Sequence, residues 1–173
     1  MSVMPDINAI VERLSRTRGD LLAVVEPIPP DRWRKQPPAG GWSAAEVIAH
    51  LTMVEQAILD GAGRGLAKDP RPVPLWRRIH IPPILAEWRF PKVRTPIPLD
   101  PALLADKQPM LDRFAAQRRR TLDFIEANRS RDLNRWRHTH PFFGSLNLYT
   151  WFKTIYHHEI RHTKQLCEIA RSV

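Results

Sequence analysis

The sequence predicts an all-α protein, a four-helix bundle with a long basic, proline-rich crossover between its second and third helices. Three observations point there. Four long segments repeat apolar residues with helical period, and no convincing period-two strand pattern stands anywhere. Prolines gather at 29–38, 70–101 and 141, which places the breaks between those segments. The chain of 173 residues is long enough for one domain, 1–173, with a real core.

The first segment runs from about Asp6 to Val25, with Ile7, Ile10, Val11, Leu14, Leu21, Leu22 and Val25 on one face and Asp6 as N-cap. The second runs from about Ser43 to Gly61. Ser43 followed by Glu46 is a capping box, directly after Gly40-Gly41-Trp42. The third runs from about Pro101 to Asn128, with Asp100 as a start signal and Pro109 expected to kink it or split off its first turns. The fourth runs from about Leu146 to Arg171. Within the insert at 64–99, Pro74-Leu75-Trp76 and Ile84-Leu85-Ala86-Glu87-Trp88 each suit a short helical piece.

Composition narrows the function classes. Hydrophobic residues at 43% and charged residues at 26% give the balance of a folded soluble chain rather than a disordered one. No stretch approaches the ~18 apolar residues of a membrane helix, so no membrane partner is expected. The N-terminal residues show no secretory pattern, and the single Cys167 rules out an internal disulfide; a cytoplasmic location is the expectation. Lys and Arg number 27 against 18 Asp and Glu, a net charge of +9 that attracts anions. Between Arg64 and Arg94 eight basic residues face only Asp69 and Glu87.

Chemistry concentrates in the last segment. His158 and His162 stand four apart, one above the other on a helix, where both rings can address one metal ion. His162 falls inside the apolar stripe of that helix and His158 on its flank, whereas His157 points away and is expected to be solvated. His50 lies on the edge of the second segment's stripe, between Val47 and Val54. Three interior imidazoles are costly unless something satisfies them. A metal does so jointly; a satisfied core or surface histidine is the alternative for each one singly.

His158-Glu159-Ile160-Arg161-His162 also reads as H-E-x-x-H. A zinc protease is not expected, since nothing after His162 offers a third ligand. Glu159 falls on the inner side, where it can orient a ligand, move a proton or pair with an arginine; it is the candidate catalytic residue. Gln165, one turn past His162, is a candidate hydrogen-bond partner behind a ligand, with a plain surface residue as the alternative. Trp42 and Trp151 read as packing residues, His140 as structural at a turn, Tyr156 as off the ligand face, and Arg118-Arg119-Arg120 as a solvated helix face. Cys167 points away from the ligands.

Three segments together resemble the DinB-like (YfiT-type) superfamily of metal-dependent enzymes. They are Gly40-Gly41-Trp42-Ser43-Ala44-Ala45-Glu46-Val47-Ile48-Ala49-His50-Leu51, then His140-Pro141-Phe142-Phe143-Gly144-Ser145-Leu146, then His158 and His162 followed by Gln165-Leu166. The resemblance runs in order from about Asp31 to Leu166. It implies a four-helix bundle and one divalent metal held by His50, His158 and His162. It also implies kinship with S-transferases and isomerases that use low-molecular-weight thiols such as bacillithiol, mycothiol or glutathione. The insert at 64–99 is longer and more charged than the family pattern.

Three neutral imidazoles leave a divalent ion its full charge and an open position, at which a water or a thiol loses its proton. The expected function is therefore a metal-dependent transferase or hydrolase acting on a small molecule, with Zn²⁺ first and Ni²⁺ or Fe²⁺ also compatible. Arg77 and Arg78 are expected to select an anionic substrate at the entrance. Two other classes compete. A nucleic-acid binder would use the basic 64–94 segment with Trp76 and Trp88, although no recognition signature accompanies it. A non-catalytic metal-binding bundle, or a homodimer through an apolar helix face, is the third.

Overall fold

The computed structural model describes residues 5–70, 73–88, 99–100 and 103–173. Four helices make up the bundle: α1 (Ile7–Val25), α2 (Ala44–Leu66), α3 (Lys107–Ala127) and α4 (Leu148–Ser172). The described residues are all-α apart from one small hairpin. Among the described residues no helix is long and apolar enough to cross a membrane.

Each start is set by local chemistry. The Asp6 carboxylate accepts from the Asn8 and Ala9 amides, and Ser43 and Glu46 close a full capping box on α2. The third helix begins six residues later than its sequence pattern suggests. Asp106 occupies the cap position, which puts Pro109 in the first turn, where its missing N–H has no partner to lose. Pro109 therefore does not kink α3, but the first turns of the expected segment are split off: Leu103 lies in a separate turn, its amide bonded to the Asp100 carbonyl, and 104–106 are outside any helix; Pro101 and Ala102 lie outside the described residues.

The hairpin is a correction to the strand-free expectation. Strand β1 (Arg137–His140) pairs antiparallel with β2 (Gly144–Asn147), with His140 opposite Gly144 across the turn. Gly144 has φ of 80°, a conformation that costs a side-chain-bearing residue, and two such four-residue strands are too short to show a period. Asn147 then caps α4 by accepting from the Thr150 amide at 2.8 Å, so the helix starts after the strand rather than at Leu146.

Helix α4 packs on α1 and α2, and α2 also packs on α3. One apolar cluster, around Leu21, Val25, Trp33, Ile48, Phe114 and Leu166, fills one end of the bundle. A second, around Leu14, Ile125, Leu133, Leu148, Tyr149 and Phe152, fills the other. The described part of the insert forms two short 3-10 turns, Leu75–Arg78 and Pro83–Glu87, and the second lies against α4.

Candidate metal centre

The histidines come from two helices whose approach is fixed by the cores on either side. His50 sits about two turns beyond the capped start of α2, and His158 and His162 lie one turn apart on α4. Their Nε2 atoms meet: His50 to His158 is 3.3 Å and His162 to His158 is 3.0 Å. All three candidate ligand atoms lie within 4.8 Å of one another. His50 and His162 are buried, and His158 keeps an edge open.

This donor set suits a cation. Nδ1 of His162 faces the Gln165 Oε1 at 2.8 Å. An amide oxygen can only accept, so Nδ1 carries the hydrogen and Nε2 is the nitrogen left to turn a lone pair inward. A hydrogen on His158 Nε2 would have to be shared between two neighbours. One cation satisfies all three nitrogens, and around a tetrahedral ion with bonds of about 2.0–2.1 Å they would stand about 3.3 Å apart. Burial holds His50 down at about 4. Burial, and then His162, His50, Arg161 and His140, hold His158 well below the usual imidazole range. Both rings are therefore neutral at pH 7, the form a metal requires.

Trp42 belongs to this centre. Its ring stacks on His162 at 6.2 Å and 11°, and lies 4.9 Å from His50. Gly40 and Gly41, with φ of 77° and 106°, make the bend that brings it there. The sequence reading treats Trp42 as plain packing; its place just before the cap of the His50 helix is the signal that it flanks the ligands.

Glu159 lies apart from the imidazole nitrogens. Its Oε2 accepts from the Thr17 hydroxyl at 2.5 Å, its Oε1 from Arg18 Nε at 2.8 Å, and both oxygens from Arg118 Nη2 at 3.2–3.3 Å. Of the roles open in the sequence, the structure shows the pairing with arginine. Glu55 completes the cluster, bonded at 2.8 Å by both Arg18 Nη2 and Arg118 Nε. Each helix thus contributes one charge, and two carboxylates balance two guanidiniums. Burial pushes the Glu55 carboxyl up, but Arg118 and Arg18 outweigh it and hold it below its ordinary value. Arg118 also donates to the Leu14 carbonyl and Arg18 to that of Phe114, so the arginines tie helix backbones as well as charges. A cavity of about 10 Å³, room for a single water, lies where His158 meets Glu55, Arg118 and Glu159.

Two expectations are corrected here. Arg118 is not on a solvated face: it is 4% exposed and lies on the inner stripe with Phe114, Thr121 and Ile125. His157 is not solvated either. Its Nδ1 lies 2.6 Å from the Glu87 Oε1, because the second 3-10 turn of the insert covers that side of α4. His140 does close its turn, Nδ1 accepting from the Phe142 and Phe143 amides. Arg78 is exposed on the insert, its Nε donating to the Val73 carbonyl at 2.9 Å; the side chain of Arg77 lies outside the described residues. The structure thus brings His50, His158, His162, Gln165 and Trp42 together, and sets Glu159 in a separate cluster.

A family profile described as the DinB superfamily matches residues 13–166, a span that contains all three histidines and the whole charge cluster. No curated protein matches the chain.

Proposed function

The chain belongs to the DinB superfamily, and from that premise we propose that it is a divalent-metal-dependent enzyme acting on a small molecule. The observation that carries this reading is the convergence of three imidazole nitrogens within 4.8 Å, backed by a carboxamide that fixes one of them. His50, His158 and His162 would hold the ion. When bound, it would acidify a nucleophile at its open position, either a low-molecular-weight thiol for S-transfer or a water for hydrolysis.

The remaining residues act on position and access. Gln165 holds the His162 ring in one tautomer and one orientation. Trp42 walls the centre on the His50 and His162 side and keeps solvent from those rings. Glu159, with both oxygens engaged, fixes the azimuth of α4 and so the direction of its two neighbours in the ligand set, His158 and His162. Zn²⁺ fits the ligand set first, and Ni²⁺ or Fe²⁺ follow. An anionic substrate would suit the basic insert, with Arg78 available at its surface.

Elemental analysis of the purified protein tests the proposal. Wild type should carry about one divalent ion per chain, and a His50→Ala/His162→Ala double variant none, with the same circular dichroism. Chelation should abolish turnover in a screen of thiol conjugation to electrophiles and of hydrolysis. A wild type that takes up no metal on reconstitution, or turnover that survives chelation, overturns the reading.

A further inference from the structure

The large hydrophobic side chains that stand exposed among the described residues come from one region. Six lie between positions 76 and 88, and the seventh, Phe142, sits at the hairpin tip. Trp76 is 68% exposed, Ile79 79% and Trp88 67%. These are residues that a folded surface normally covers, and gathered together they mark an interaction site.

The region is one continuous ledge. His80 bridges antiparallel to Gly144, and the Ile81 amide donates to the Phe143 carbonyl at 3.0 Å. Arg137 of β1 donates to the Arg78 carbonyl at 3.1 Å. The inner side of the ledge is fastened to α4: Pro83 is buried, Glu87 meets His157, and Lys164 donates to the Glu87 carbonyl. The outer side carries the indoles and the isoleucines.

Charge selects the occupant. Among the described residues Arg78 and Arg137 lie on the ledge and Lys164 at its seam with α4, while the Glu87 carboxylate is engaged with His157. A second copy of the chain would set one basic ledge against another, since a two-fold contact pairs like with like. A nucleic acid would meet the charge and could stack on the indoles, but Ile79, Ile81, Ile84 and Leu85 present no flat face to a base. An anionic bilayer surface takes all three groups at once: basic side chains on phosphates, indoles at headgroup level, aliphatic side chains just beneath. A chain without a spanning helix can still lie on a membrane in this way. We infer that the 73–88 segment and the hairpin tip form a docking surface for an anionic lipid bilayer. This inference depends on neither the metal nor the reaction.

Co-sedimentation with vesicles tests it, comparing phosphatidylcholine alone with phosphatidylcholine mixed with phosphatidylserine. Wild type should bind the mixed vesicles, weaken as salt rises, and bind the neutral ones far less. The Trp76→Ser/Trp88→Ser and Ile79→Ser variants alter exposed side chains and should keep their circular dichroism. The double variant should bind about tenfold more weakly, and Arg78→Ala about fivefold. Three results would overturn the inference. The first is no binding to the mixed vesicles. The second is binding of a single-stranded oligonucleotide, with vesicle binding absent. The third is a concentration-dependent dimer that these substitutions abolish, again with no vesicle binding.

Discussion

Nδ1 of His162 lies 2.8 Å from the Oε1 of Gln165, three residues further along the same helix. The carboxamide dictates which ring nitrogen carries the hydrogen, and so which one is free to bind a metal. Gln165→Leu should weaken Zn²⁺ binding by about 10–100-fold while leaving the fold intact. Competition titration against a chromogenic chelator measures this. Gln165→Glu, which still accepts from Nδ1, should bind at least as tightly as wild type; equal affinity in all three proteins would remove the orienting role.

The four-charge cluster makes a different kind of prediction. Each of Arg18, Glu55, Arg118 and Glu159 is almost fully buried, so removal of one partner strands an opposite charge away from water. Glu159→Gln or Arg118→Met should cost about 3–5 kcal/mol in urea unfolding. His158→Ala in the metal-free protein should cost much less, because it strands no opposite charge. If Glu159→Gln instead abolished turnover at unchanged stability, Glu159 would act in the chemistry and not through the position of α4.

Much of this arrangement is legible in the sequence, because the period of an amphipathic helix says which residues face inward. That period, together with the Ser43–Glu46 box, locates α2 and turns His50 inward. The spacing of His158 and His162 does the same for α4. The charge cluster was open to the same logic: Arg18 lies between Leu14 and Leu21, Glu55 between Leu51 and Leu59, and Arg118 between Phe114 and Ile125, all on apolar stripes. The default that a triplet of arginines is solvated hides Arg118, since nothing local announces carboxylates on other helices. His157 fails for another reason. It does point away from the ligands, but a segment 70 residues earlier folds over it, and angular counting within one helix carries no information about such a cover. The hairpin is hidden because its strands are four residues each, too short to show a period of two.

The histidines give the metal-free protein an acid-sensitive stability. Burial lowers His50 from 6.5 to about 4 and His140 likewise, and holds His158 well below 6.5. Rings depressed in the folded state remain neutral there while the unfolded chain protonates, so the unfolded state binds the extra protons. Stability should be flat well above pH 6.5, then fall as the pH drops toward 4, by about 1 kcal/mol for each of His50 and His140 at pH 5.5. Glu55, held below its ordinary value by Arg118 and Arg18 against the upward push of burial, adds to the loss only at lower pH still. Thermal melts of chelator-treated protein from pH 7.5 to 5 test this. His50→Ala should flatten part of the slope, and a Tm that rises on acidification would contradict the linkage.

The contact between His157 and Glu87 predicts how the insert behaves. Their 2.6 Å contact, together with the Lys164 bond to the Glu87 carbonyl, fastens the second 3-10 turn to α4. Burial lowers His157 despite the favourable carboxylate, so the neutral ring is the form held at pH 7, with Nδ1–H donating to Glu87. A half-buried hydrogen bond to a charged group contributes about 1.5–3 kcal/mol. Glu87→Ala should therefore raise the open population of the insert by about tenfold or more, with the helices unaffected. Limited trypsin digestion reads this directly, because Arg77 and Arg78 lie in the preceding turn. Cleavage there should accelerate in Glu87→Ala and in His157→Ala alike, and the double variant should be no faster than either single one. Additive acceleration would mean that the two side chains hold the insert through separate partners.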